Sequence, residues 1–203
     1  PYMRQDIQFK SGEGITSRFF AKLMSQYLDS LVTIDPHLHR YNSLDEIYTL
    51  KSTVLHANPQ VANWVKSNIK NPLIVGPDSE SEQWAASVAG MIGCPSIILN
   101  KERMGDKEVL ISPPDAKKFN HLMPVLIDDI ISTGRTMIKT ADALKSEGFQ
   151  APVCVGVHAI FSDGAYDEMK QAYISEIITC NTIPHETNMI DLTTLLSDEI
   201  KYR

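Results

Sequence analysis

The sequence predicts an α/β protein in which a parallel sheet is flanked by helices. Two observations carry that prediction. Short runs rich in Val and Ile, such as "PLIVG", "PVLI" and "VCVGV", alternate with longer stretches of helical period. The chemically suggestive residues also gather where such runs end, which is where open parallel sheets bind ligands. Asp35 and His37 follow "LVTI", Asp78 follows "LIVG", Lys101 and Arg103 follow "SIILN", and Asp128 and Asp129 follow "PVLI".

Taken in order, "ITSRFFAKLMSQYL" predicts a helix. Ile15, Phe19, Leu23 and Tyr27 share one face, which Phe20, Met24 and Leu28 widen. "SLVTID" predicts a short buried strand, and "PHLHRYNSLDEIY" an irregular segment. A helix through "PQVANWVKSNI" has Val61, Val65 and Ile69 as its spine and Pro59 in its opening turn. "PLIVG" is then a strand, "SEQWAASVAGMIG" a helix stopped by Gly93, and "PSIILN" a strand. "KERMGDKEVLISPPD" is polar and predicts a mobile loop with a short edge strand. "HLMPVLID" is a strand, and "TGRTMIKTADALKSEG" a helix with Met137, Ala141 and Leu144 inward and Gly148 at its end. "VCVGVHAIF" and "SEIITCN" are strands, with the helix "GAYDEMKQAY" between them and "LTTLLSDEIKY" as the last helix.

Composition narrows the function classes. Hydrophobic residues at 43% and charged residues at 22% describe a globular chain able to bury a core. A net charge of −6, with no Lys/Arg block, argues against nucleic acid as the main partner and leaves a small anion gripped by local donors. No stretch has the length of a membrane span, so no membrane partner is expected. Cys94, Cys154 and Cys180 lie apart, each in or beside an apolar stretch, as buried thiols do in a reducing cytosol.

The stretch that asks for a function is "PVLIDDIISTGRTM". Adjacent carboxylates repel, so folding alone gives little reason for Asp128 beside Asp129. Ser132 to Thr136 follow as a tight loop into a helix, whose exposed N–H groups and dipole favour an anion. Ser132, Thr133 and Thr136 add hydroxyl donors, and Gly134 lets the backbone approach closely. Ionised carboxylates accept hydrogen bonds, which suits the vicinal hydroxyls of a sugar. A phosphate beside two hydroxyls describes ribose 5-phosphate. The plainer alternative is a helix whose N-cap is Ser132 or Thr133, preceded by a solvated strand end.

"VLIDDIISTGRTM" resembles the phosphoribosyl-binding loop of the phosphoribosyltransferase fold. "YMRQD", "GEGITSR", "VTIDPHLH", "LIVGPDSES", "LNKER" and "CNTIPH" stand in the order, and at about the separations, of the ribose-phosphate pyrophosphokinase (phosphoribosyl pyrophosphate synthetase) family. The resemblance spans essentially the whole chain and implies a phosphoribosyltransferase-like, Rossmann-like sheet. It implies transfer of the diphosphoryl group of ATP to the anomeric hydroxyl of ribose 5-phosphate, in the cytoplasm, by a homo-oligomer. Arg4 and Gln5 then contact ATP, and His37 and Asp78 serve the metal site. Lys101 and Arg103 act in catalysis from a flexible loop. Asp128, Asp129 and the loop Ser132, Thr133, Gly134, Arg135 and Thr136, with Arg103, bind ribose 5-phosphate. The implied cofactor is Mg²⁺, which takes few protein ligands and keeps substrate phosphates as others. His37 and His39 together could suggest zinc, but no third and fourth ligand have suitable local spacing. A nucleobase phosphoribosyltransferase would share the loop without needing "RQD", "DPHLH" or "NKER", and a non-catalytic subunit associated with an active synthetase is a further alternative.

Departures accompany the resemblance. Glu80 and Ser81 stand where many relatives carry a Gly-Gly pair, Ser132 replaces a common aspartate, and Arg135 replaces a small residue. The family's N-terminal domain is mostly absent ahead of "RQD", and the chain starts on Pro1. The expectation is therefore a remnant of that domain over residues 1–53, a second domain over 54–203 carrying the ribose 5-phosphate site, and a chain that is a fragment.

Overall fold

The structure, a computed structural model, describes residues 3–104, 107–111, 113 and 116–201; the side chains of Glu80 and of residues 100–111 lie outside that description. Its helices are α1 (Thr16–Tyr27), α2 (Asn58–Asn68), α3 (Glu82–Ile92), α4 (Arg135–Ser146), α5 (Ala165–Gln171) and α6 (Thr193–Lys201). Its strands are β1 (Ser30–Ile34), β2 (Lys51–Leu55), β3 (Pro72–Gly76), β4 (Ser96–Ile98), β5 (Asn100–Met104), β6 (Lys107–Ile111), β7 (Met123–Ile131), β8 (Val153–Ala159), β9 (Glu176–Cys180) and β10 (Asn188–Ile190). Among the described residues no helix is long and apolar enough to cross a membrane.

Two compact units form. One runs as far as His56 and takes back the chain from Thr193 onward; the other is Ala57–Leu192. The division expected at residue 53 would cut through β2, which pairs in parallel with β1 from Ser30↔Lys51 to Ile34↔Leu55. Helix α6, expected in the second domain, returns to the first unit and packs against β1. Strand β2 lies in a stretch for which the sequence pattern predicts no strand.

The first unit corrects the expected face of α1. Phe19 is 68% exposed and Tyr27 78% exposed, whereas Ser17 and Ala21 are buried. The small side chains on that side let the helix approach Tyr41, whose hydroxyl lies 3.5 Å from Ser17 Oγ and accepts from Arg18 Nε at 3.2 Å. Ala21 joins Met3, Tyr41, Leu44, Tyr48 and Leu50 in the core of this unit. Strand β1 is less buried than expected, since only Ile34 of its five residues is fully covered.

The second unit holds a six-stranded sheet in the order β10-β9-β8-β7-β3-β4, with every pairing parallel. Both faces are buried, and alternation along each strand divides them. Leu73, Val75, Leu126 and Cys154 meet Met137 and Leu144 of α4 and Met169 of α5 in one cluster. The intervening Ile74, Val125, Ile127, Val153 and Val155 are equally buried. Gly93 and Gly148 end their helices in left-handed conformations, at φ 81° and 85°. Cys154 and Cys180 are buried free thiols, and Cys94 is partly exposed.

From β3 the chain steps out to β4, then returns to place β7 on the other side of β3 and continues outward through β8, β9 and β10. The strand order therefore reverses between β3 and β7. Open parallel sheets leave a crevice at such a reversal, outside the carboxyl ends of the strands, because the connecting loops there diverge to opposite faces.

Candidate functional site

That crevice is bordered by the turn after β3 and by the end of β7. Asp78 follows β3 across Pro77, and the segment Ser79–Ser81 closes a single 3-10 turn before α3. Ser81, which stands where many relatives carry a glycine, is the residue that shapes this turn. Its buried Oγ donates to the Asp78 carbonyl at 2.7 Å and accepts from the Asp78 N–H at 3.3 Å. Its own N–H donates to Asp78 Oδ1 at 3.3 Å. Gly76 is needed beneath it, because a Cβ at that position would lie 2.6 Å from Ser81 Oγ. A hydroxyl thus locks a carboxylate-bearing turn where a glycine would have left it loose. The D-x-x-S spacing was the available signal for it.

Strand β7 is longer than the sequence suggested and carries Asp128 and Asp129 inside its ladder. Asp128 pairs in register with Gly156 of β8, and the strand runs on to Ile131. The two carboxylates alternate along the strand, and Asp128 Oδ1 accepts from the Asp129 N–H at 2.9 Å. Burial, then the charge and hydrogen bonding of Asp129 and the charge of Asp78, push the Asp128 carboxyl up to about 8. Asp78 and Asp128, fifty residues apart in the chain, therefore act on each other across the crevice.

The loop beyond β7 enters α4 through Gly134, the N-cap, at φ 68° with no side-chain cap. This answers the choice between Ser132 and Thr133: neither caps the helix. Thr133 Oγ1 instead accepts from the Arg135 N–H at 3.4 Å. Gly134 is buried, while Thr133 and Arg135 are exposed and Ser132 and Thr136 partly so. The first α4 bond from the loop is Ile138 N–H to Gly134 O, at 2.9 Å. The N–H groups of Arg135, Thr136 and Met137, at the positive end of a 12-residue helix, precede it. Within one unit the structure thus brings together Asp78, Asp128, Asp129 and the loop Ser132–Thr136.

Lys101 and Arg103 fall on β5, opposite Leu110 and Glu108 of β6 in an antiparallel pair. The loop expected at "KER" is a strand, and the side chains of both residues lie outside those described.

The remaining candidates belong to the first unit. Arg4 and Gln5 are exposed, and the Gln5 carbonyl accepts from the Ser17 N–H at 3.1 Å. Buried Asp6 follows them and meets Arg40 Nη1 at 2.8 Å, while its Oδ2 has no hydrogen-bond partner among the described residues. Arg40→Ala is expected to destabilise the chain by about 1–3 kcal/mol, because it strands a buried carboxylate; the range allows for the part-exposed arginine. Urea unfolding at neutral pH checks this, and an unchanged midpoint would refute it. Asp35 is buried at φ 37°, with Oδ1 2.8 Å from His56 Nδ1. An aspartate tolerates this left-handed bend, and the bend starts the loop that carries His37 and His39, whose rings are 6.2 Å apart.

Among the described residues no group of three or more His, Cys, Asp or Glu is placed to hold a metal. The donors in the crevice nonetheless suit a hard divalent cation. Asp78, Asp128 and Asp129 offer only oxygen, and the charge repulsion that adds to burial in raising Asp128 is the kind a cation relieves.

The family model described as "Phosphoribosyl transferase domain" matches residues 43–194. Ribose-phosphate pyrophosphokinase of Pyrococcus abyssi is 33% identical over 191 residues, covering 94% of this chain and 65% of that protein. Its counterpart in Sulfolobus acidocaldarius is 30% identical over 193 residues, with the same coverages of 94% and 65%. The Pyrococcus furiosus counterpart is 30% identical, with coverages of 94% and 67%. The chain therefore spans 65% of the length of the first two relatives. The crystal structure of phosphoribosylpyrophosphate synthetase from Mycobacterium smegmatis superposes with a TM-score of 0.84, at 23% identity, over 99% of this chain and 67% of that one, which is a likeness of fold.

Proposed function

Because the chain belongs to the phosphoribosyl transferase domain family, and within it to the ribose-phosphate pyrophosphokinases, we propose that it binds ribose 5-phosphate at the end of β7 and serves the synthesis of phosphoribosyl pyrophosphate from ATP. The observation that carries this reading is the β7–α4 junction. There two carboxylates precede an open helix N-terminus by a few residues, matching two ribose hydroxyls beside a 5-phosphate. Asp128 and Asp129 accept from the hydroxyls, and Ser132–Thr136 hold the phosphate.

In the reaction, the anomeric oxygen forms a bond to the β-phosphorus of ATP, and the bond from that phosphorus to the α-phosphate oxygen breaks. AMP leaves with the electron pair, and the hydroxyl proton goes to solvent. Such a transfer depends mainly on positioning and on cationic groups near the phosphates. Arg4 and Gln5 hold the nucleotide, and Lys101 and Arg103 stabilise the transferring charge. In the second unit Asp78 would hold Mg²⁺, whose charge would neutralise the nucleotide's phosphates; the metal role that the resemblance gives His37 falls on the first unit. The working protein is a cytoplasmic homo-oligomer.

The test incubates the chain with ATP, Mg²⁺ and ribose 5-phosphate and follows products by phosphorus NMR. Phosphoribosyl pyrophosphate and AMP appearing together are expected. Lys101→Ala is expected to slow their appearance about 10²–10³-fold, the usual effect of removing one stabiliser of developing charge. Formation of a nucleotide from phosphoribosyl pyrophosphate and a free base, without ATP, would instead identify a nucleobase phosphoribosyltransferase. Binding of ribose 5-phosphate without turnover would point to a non-catalytic subunit.

A further inference from the structure

The segment after β8 bends through a residue in the left-handed region. Phe161 adopts φ 35°, a costly position for a bulky aromatic residue. Its ring is held against His185 at 4.6 Å and Tyr166 at 5.4 Å between centroids. His185 is itself fixed, its N–H donating to Asn188 Oδ1 at 2.8 Å and its Nδ1 2.9 Å from Thr187 Oγ1.

What the strained turn achieves is contact with the loop after β7. The Phe161 N–H donates to the Ile131 carbonyl at 2.9 Å. The next residue, Ser162, donates its N–H to the Ser132 carbonyl at 2.9 Å and its Oγ to the same oxygen at 3.3 Å. Two consecutive carbonyls are thereby turned toward Phe161 and Ser162. In a planar trans peptide the N–H points opposite to the C=O, and the chain has no cis peptide among its described residues. The N–H groups of Ser132 and Thr133 are therefore directed away from this segment. A carbonyl oxygen rotated into an anion site would repel a phosphate, and these three donors prevent that rotation. Beneath the loop, Met169 of α5 fills the space that a side chain on Gly134 would need.

We propose that Phe161 and Ser162 are positioning residues for the 5-phosphate of the ligand, setting the peptide orientation of the Ser132–Thr136 loop without touching the phosphate. This rests on the assignment of that loop to ribose 5-phosphate. Ser162 does the orienting, and the strained Phe161, clamped by His185 and Tyr166, presents it.

The experiment titrates ribose 5-phosphate into the chain and its Ser162→Ala, Ser162→Thr and Phe161→Ala variants, following affinity and the phosphorus shift of the bound phosphate. Melting temperatures are recorded alongside. Loss of one neutral hydrogen bond makes Ser162→Ala bind about threefold to tenfold more weakly, with a displaced shift and a melting temperature within about 2 °C of the parent. Ser162→Thr restores both affinity and shift, and Phe161→Ala binds still more weakly. Affinity and shift equal to the parent's in both Ser162→Ala and Phe161→Ala would overturn the positioning role and leave the ribose 5-phosphate site standing. Weakening in Ser162→Ala that tracks a lowered melting temperature and is not rescued by threonine would also overturn it, as a structural effect. A parent chain that does not bind ribose 5-phosphate overturns the assignment of the loop and this proposal with it.

Discussion

Asp128→Asn is expected to lose most of the affinity for ribose 5-phosphate and to melt at a higher temperature than the parent in mildly alkaline buffer. The two effects have one cause. The Asp128 carboxyl is pushed up to about 8 from an ordinary 3.8 by burial and by the charges of Asp129 and Asp78. A group whose pKa is raised in the folded state contributes stability that is full below its ordinary pKa and is lost as pH rises through the folded one. The parent thus loses stability between about pH 4 and pH 8, whereas asparagine cannot ionise. The variant's advantage opens over that window and levels off above it. Each kcal/mol recovered is worth about 2–4 °C in a chain of this size. At a pH above the raised Asp128 value, where the carboxyl is ionised, affinity falls because an amide replaces a charged acceptor for a sugar hydroxyl, at roughly 1.5–3 kcal/mol, or about tenfold to 150-fold. Calorimetric melting at pH 5 and pH 8.5, with a ribose 5-phosphate titration at the higher pH, checks both halves. A difference in melting temperature that does not change with pH would show that Asp128 is not perturbed in this way.

Gly134→Val is expected to be the most damaging single change in the loop. Gly134 sits at φ 68°, and a Cβ there would lie 2.6 Å from Met169 Cγ and 2.7 Å from its sulfur. A β-branched residue meets a backbone penalty of about 1–2 kcal/mol and must displace a fully buried methionine, for about 1–3 kcal/mol more. The melting temperature should fall by roughly 5–15 °C. Binding of ribose 5-phosphate should weaken at least about tenfold at temperatures where the variant is still folded, because the loop can no longer approach the phosphate. Gly134→Val combined with Met169→Ala separates the causes. The smaller residue relieves the clash but not the left-handed strain, so stability should recover only in part. Full recovery would mean that the backbone conformation carries no cost.

Much of the second unit was legible in advance because its signals are local. "PLIVG", "VCVGV" and "EIITC" are apolar on both faces, and Gly93 and Gly148 stop helices at positions that only a left-handed residue closes easily. The convergence of Asp78 with Asp128 was suggested by both following strand-like runs. The structure brought them together by reversing strand order between β3 and β7. The first unit was less legible. The face of α1 bearing Phe19, Leu23 and Tyr27 has the period of a buried stripe, yet the helix turns Ser17 and Ala21 inward. Periodicity identifies an apolar face without saying what is there to cover it.

By itself the sequence determined the α/β class, the order of most elements and the pairing of two carboxylates with a helix-entering loop. Each depends on residues close in the chain, where spacing translates directly into which side a group faces. The tertiary structure alone decided the rest. The ladder with β8 carried β7 past Asp128 to Ile131, and the Asp78 turn was locked by Ser81 above Gly76. The neighbouring charges at the end of β3 helped to raise Asp128, and the carbonyls of Ile131 and Ser132 were turned by donors from 30 residues further on. Hydrogen-bond direction and electrostatic potential depend on groups distant in the chain and adjacent in space, and no local pattern encodes that adjacency.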